Sequence, residues 1–165
     1  DVLVEEGNKE YGGRGGATTL TMVAVLWPHA YVIQVGDSRC YRLRDHRLER
    51  ITDDQTLAQA LRERGALRDS EAQASPLRGV LASAVGGPEL TPRISNTDCR
   101  WDDVVLLCTD GLTRHVRDEE KVAGLQSPRT SQETCQRLVQ LALDRGGEDN
   151  VTVVVGRLKN KPQGI

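Results

Sequence analysis

Phenylalanine is absent from this chain, and three tyrosines and two tryptophans are all the aromatic residues it has. So few rings build neither a base-stacking platform for nucleic acid nor an aromatic girdle at a membrane surface. A charge of one sign is lacking too: 22 Lys and Arg stand against 24 Asp and Glu, a formal net charge of -2. That balance gives no electrostatic case for nucleic acid or an anionic membrane, and no basic block appears. No apolar run approaches the roughly 18 residues needed to span a bilayer, and no stretch reads as a signal peptide. The four cysteines, Cys40, Cys99, Cys108 and Cys135, have no CxxC spacing. They read as reduced, mostly buried thiols rather than zinc ligands or disulfides. These absences together lead us to expect a cytoplasmic protein with neither a nucleic-acid nor a membrane partner.

What is present is the material of one globular domain: 165 residues, 38% hydrophobic and 28% charged. From Ala17 to Arg50 the pattern is strand-like. ATTLTMVAVLW, AYVIQVG and RCYRLR are separated by Pro28-His29 and by Gly36-Asp37-Ser38, which predicts an antiparallel meander. Thr52 and Gln55 have the spacing of a capping box, and Leu57, Ala58 and Leu61 form an apolar stripe that stops at Gly65. A short helical piece is expected over Arg78–Val85, then strands around 91–97 and 103–109. Asp118 can cap a short helix. A longer one begins near Thr130, with Glu133 at the capping-box position and a stripe of Cys135, Leu138, Val139 and Ala142. NVTVVVGRL is the last strand. Strands in blocks, then helices in blocks, indicate an α+β fold with largely antiparallel sheet.

Three carboxylates stand at strand ends. Asp110 follows the apolar run VVLLC, Asp149 precedes VTVVV, and Asp37 ends AYVIQVG. Each has an ordinary reading as a turn or loop residue. If strands 103–109 and 151–157 are antiparallel neighbours, however, the end of one lies beside the start of the other. Asp110 and Asp149 then project from the same sheet edge, and Asp37 could reach that rim. Acidic oxygens gathered there repel one another unless a cation sits between them, and hard ions such as Mg²⁺ and Mn²⁺ prefer such ligands.

GGATTLTMVAV (15–25), VGDSRCYRL (35–43), ITDDQTL (51–57), ASAVGG (82–87), VVLLCTDGLT (104–113) and GGEDNVTVVVGRL (146–158) occur in this order. In that combination the chain resembles the C-terminal two-thirds of the catalytic domain of a bacterial, metal-dependent protein phosphatase of type 2C. The resemblance implies a partial four-layer αββα sandwich, two antiparallel sheets flanked by helices. It also implies a Mn²⁺ or Mg²⁺ centre with two ions in a complete domain, where a metal-bridging water attacks phosphoserine or phosphothreonine directly. By motif match Asp110 and Asp149 are metal ligands, and Asp37 a ligand to a third, weaker ion. Phosphoproteins are the implied substrates.

The sequence departs from that family's pattern in several places. The R-x-x-N-x-D segment, with its phosphate-gripping arginine, and the D-G-x-G-G segment, with its bridging aspartate, do not occur in it. Gly12-Gly13-Arg14-Gly15-Gly16 carries no acid and matches the loop before the first strand instead. Arg114 stands where the family often has an acid or Asn. Asp54-Gln55-Thr56 replaces Asp-His-Ser, and Ser75-Pro76 replaces His-Pro in the flap. Residues 1–165 are therefore expected to be a partial catalytic domain, inactive alone, holding at most one weakly bound ion. Association through an exposed sheet edge, or with a missing N-terminal segment, is expected with it. The alternative is a non-catalytic phosphatase-like interaction module. A remoter one is a serine hydrolase using Ser38, although GDS here lacks an oxyanion-hole motif.

Overall fold

The computed structural model describes residues 16–160. Among the described residues, seven strands and five helices follow one another: β1 (Leu20–Leu26), β2 (His29–Val35), β3 (Arg39–Arg44), β4 (Arg47–Arg50), α1 (Leu57–Glu63), α2 (Asp69–Ala74), β5 (Arg93–Asp98), β6 (Val104–Cys108), α3 (Asp110–Thr113), α4 (Asp118–Gln126), α5 (Ser131–Leu143) and β7 (Val153–Arg157). A 3₁₀ turn, Pro76–Gly79, lies between α2 and β5. The strands form a three-stranded sheet, β1-β2-β5, and a four-stranded sheet, β4-β3-β6-β7. All pairings in the second sheet are antiparallel. The fold is therefore α+β with antiparallel sheets, as the sequence indicates.

The expected meander is corrected in one respect. β2 and β3 are not sheet neighbours, because β3 pairs with β4 and β6 in the other sheet. Gly36-Asp37-Ser38 is thus a passage between sheets rather than a hairpin. The true hairpin joins β3 to β4 through Asp45 and His46, at φ 47° and 64°. Two successive positive φ values match the right-handed twist of the strands they connect.

The chain divides into two compact units. Among the described residues, the first comprises 16–22, 33–38 and 53–94, the second 23–32, 39–52 and 95–160. In the first, α1 does not start at Thr52, as the capping-box spacing suggests. Thr56 caps it instead, accepting a bond from the Gln59 amide at 3.3 Å. Gln55 is diverted to tertiary work: its Oε1 accepts from the Gly36 amide at 2.7 Å and its Nε2 donates to the Thr91 carbonyl at 2.8 Å. α1 stops at Gly65 as expected, with φ +72°. The helix expected over Arg78–Val85 shrinks to the 3₁₀ turn. Leu81 and Val85 instead make isolated bridges to Thr56 and Thr18.

The second unit holds the main core, on one face of the four-stranded sheet. Tyr41, Leu43, Val104, Leu106, Cys108 and Val155 from the strands meet Leu112, Val116, Leu125, Leu138 and Ala142 from α3, the following turn, α4 and α5. Leu106, Leu112, Leu125 and Leu138 have no exposed surface. Truncating any of them to alanine costs about 2–5 kcal/mol. α5 begins as its sequence dictates: Thr130 accepts from the Glu133 amide, and Glu133 accepts from the Thr130 amide at 2.8 Å. Its buried residues are Thr134, Leu138 and Ala142, so the stripe is rotated slightly towards Thr134. α4 is closed by Glu120, which accepts from the Arg117 amide at 3.0 Å, while Asp118 is the first helical residue rather than the cap. On the other face, Val23, Ala30 and Val32 approach Cys40, Val105 and Leu158 around a small apolar gap. Within this unit, then, strands of both sheets pack face to face.

Candidate functional site

VVLLC forms β6, buried alternately along its length, with β3 on one side and β7 on the other. The register places Cys108 opposite Val153, so the end of β6 lies beside the start of β7, as antiparallel pairing requires. Beyond that point Thr109 ties the two chain segments together. Its amide donates to the Thr152 carbonyl at 3.1 Å, and its hydroxyl accepts from the Thr152 amide at 3.0 Å. The same hydroxyl donates to the Asn150 carbonyl at 3.2 Å.

Asp110 is therefore not half of a simple turn. It opens a single helical turn, α3, whose backbone is fixed by the Arg114 amide bonding the Asp110 carbonyl at 3.0 Å. Gly111 explains how Asp149 comes near. The Asn150 carbonyl passes where a Cβ on residue 111 would sit, and Asn150 C is 3.1 Å from that position. Only a residue without a side chain admits the loop. Asp149 is in turn oriented by its neighbour, the Asn150 amide donating to its Oδ1 at 2.8 Å.

Asp110 and Asp149 meet through Arg114. The guanidinium pairs with Asp110 Oδ2 through Nη2, and its Nη1 lies 3.8 Å from Asp149 Oδ2. All three side chains are partly exposed, at 27% for Asp110, 42% for Asp149 and 44% for Arg114. The donor chemistry fits a hard divalent cation: anionic oxygens from two segments converge, and a cation, the guanidinium, already stands between them. Among the described residues no three His, Cys, Asp or Glu side chains gather as a metal-holding group.

Asp37 belongs to the first unit, half-buried on the β2–β3 passage. That passage is rigidly held. Gly36 takes φ +98° and packs against the Thr19 side chain where a Cβ would stand. Gln34 Nε2 donates to the Gly36 and Ser38 carbonyls, each at 3.2 Å. Ser38 is buried, its hydroxyl 2.7 Å from the Thr19 hydroxyl. Nothing in this surrounding favours a serine nucleophile. His46 Nδ1 is bonded to Gln126 Nε2 at 2.9 Å, away from these acids. The glycine-rich run 12–15 lies outside the described residues.

Beneath the site the thiols are quiet. Cys40, Cys99 and Cys108 are buried, and the Cys40 thiol is pushed up to about 12, by burial first and then by the neighbouring Cys108. Cys40 therefore offers no nucleophilic thiolate. Among the described residues no helix is long and apolar enough to cross a membrane.

The family model for protein phosphatase 2C matches residues 5–145. The serine/threonine protein phosphatase PstP of Mycobacterium tuberculosis is 41% identical over 141 residues, 86% of this chain and 27% of that protein. The serine/threonine phosphatase stp of Listeria monocytogenes is 32% identical over 155 residues, 93% of this chain and 61% of that protein. The chain thus spans only part of the length of these curated relatives. The crystal structure of the catalytic domain of PstP with two manganese ions superposes at a TM-score of 0.80 and 36% identity, covering 96% of this chain and 66% of that one. The chain belongs to the protein phosphatase 2C family.

Proposed function

We propose that this chain is part of a metal-dependent protein serine/threonine phosphatase, and that Asp110 and Asp149 are its contribution to the metal site. The observation that carries the reading is the meeting of these two carboxylates around one cation at the shared edge of β6 and β7, in a member of this family. The two manganese ions of the PstP structure support it. Mn²⁺ or Mg²⁺ would be the ion, with Asp37 as ligand to a further, weaker one. Such an ion lowers the pKa of its bound water towards ~7 and neutralises charge on a phosphoryl group.

The chain's own residues do the positioning. Strand pairing fixes Asp110, the missing side chain at Gly111 lets the 149–150 segment close over α3, and the Asn150 amide aims Asp149. Substrates are phosphoserine and phosphothreonine in proteins, in the cytoplasm. Residues 1–165 act as a partial catalytic domain, since two carboxylates cannot build a bridged ion pair, and alone they turn over no substrate. One observation favours a second reading, a phosphatase-like module kept for interaction: an arginine, not a metal ligand, faces the two acids.

The test is hydrolysis of a phosphothreonine peptide by the protein that carries this chain, with Mn²⁺ and with EDTA. We expect activity only with metal, reduced roughly a hundredfold or more by Asp110→Asn or Asp149→Asn, since each removes an anionic ligand. Full activity in either variant would reject the assignment.

A further inference from the structure

Arg114 caps the helical turn that Asp110 opens, so the four-residue spacing brings its side chain back over that carboxylate. Its two terminal nitrogens serve different chain segments, Nη2 on Asp110 and Nη1 towards Asp149 at 3.8 Å. Its planar fork suits carboxylate oxygens better than a lysine ammonium would. It therefore does for this acid pair what a bound ion would do: it cancels their repulsion from a point between them. The side chain is 44% exposed, so it has solvent to move into if something stronger takes the oxygens.

Resting on the reading of Asp110 and Asp149 as metal ligands, we propose that Arg114 is an internal competitor for metal. Its guanidinium and a divalent ion claim the same carboxylate oxygens, and the ion binds only as the arginine swings out. Metal affinity is then set by the difference between two cations rather than by the acids alone. Arg114 is also the switch between a self-neutralised site and a loaded one. Such coupling is reciprocal: whatever holds the arginine in place weakens the ion, and the ion frees the arginine.

Calorimetric Mn²⁺ titration of the whole chain tests this directly. Arg114→Gln should bind Mn²⁺ roughly tenfold or more tightly than the wild type, a coupling of ordinary size. Arg114→Lys, whose compact ammonium cannot reach both acids, should fall between them. Asp110→Asn should bind more weakly than the wild type. The Mn²⁺-induced rise in melting temperature should rank the arginine variants in the same order, which gives a readout even if one of them is less stable without metal. Equal or weaker binding by Arg114→Gln, with Asp110→Asn still impaired, would overturn the role of Arg114 and leave the metal reading standing. Mn²⁺ affinity unchanged in Asp110→Asn and Asp149→Asn would instead overturn the metal reading itself.

Discussion

The carbonyl of Asn150 rests directly against the Cα of Gly111, in the space that any other residue's side chain would need. This contact, more than the aspartates' own bonds, brings the two acids to one place. Gly111→Ala should therefore lift the 149–150 segment. We expect a loss of about 1–3 kcal/mol in stability, the usual cost of overpacking a closed site. Urea unfolding would measure it, and Mn²⁺ affinity should drop with it.

A second expectation concerns the ion pair buried beneath β5. Asp103 is 2% exposed and takes two bonds from Arg44, Nε at 2.7 Å and Nη2 at 2.6 Å, and one from the Arg100 amide at 2.9 Å. Burial pushes its carboxyl up, but the bonds from Arg44 and Arg100 outweigh it and hold it below the usual range. Asp103→Ala leaves Arg44 with Asp98 as its acidic partner, bonded through Nη1 at 2.9 Å, and should cost about 1–3 kcal/mol. Chemical denaturation of the variant is the check, and a loss below ~1 kcal/mol would contradict it.

The strand patterns and their antiparallel order were legible because alternation and apolar runs survive any tertiary context. Strand direction alone put the end of β6 beside the start of β7, and so Asp110 towards the segment that carries Asp149. Two local signals misled. Thr52 and Gln55 have capping-box spacing, yet Thr52 Oγ1 accepts from the Cys40 amide at 2.9 Å and Gln55 bridges two loops, so tertiary partners won over the local cap. Gly36-Asp37-Ser38 looks like a hairpin turn. Choosing between a hairpin and a sheet change depends on contacts from Thr19 and Gln55, both distant in sequence. Arg114 was visible as a misplaced cation. Its bridging of both acids could not be read from spacing, because Asp149 is brought near by the Gly111 contact.

Acid stability should show the mark of Glu120. Its carboxyl is held down at about 2, first by the Arg145 guanidinium and then by the Arg117 amide, against an unfolded value near ~4.3. A depressed folded pKa gives stability that is present above the unfolded value and lost as pH falls through the folded one. The advantage of wild type over Glu120→Gln should thus be constant at neutral pH and fade between about pH 4 and 2. Paired thermal melts across that range would show it. A constant difference throughout would contradict it.

The thiols give a separate control. Cys40, Cys99 and Cys108 are buried, while Cys135 is only partly so. Iodoacetamide at mild alkaline pH should label Cys135 first and leave Cys40 and Cys108 intact until the chain unfolds. Mass spectrometry of timed samples reads this out. Hydrolysis by the protein carrying this chain should survive that labelling, since no cysteine lies at the proposed site.

The most direct measurement is anomalous scattering at the manganese edge from crystals of this chain grown with Mn²⁺. We expect one peak between the carboxylates of Asp110 and Asp149, with the Arg114 guanidinium turned away from both. A crystal with Arg114 still bridging the two acids and manganese bound elsewhere would contradict the account at its centre.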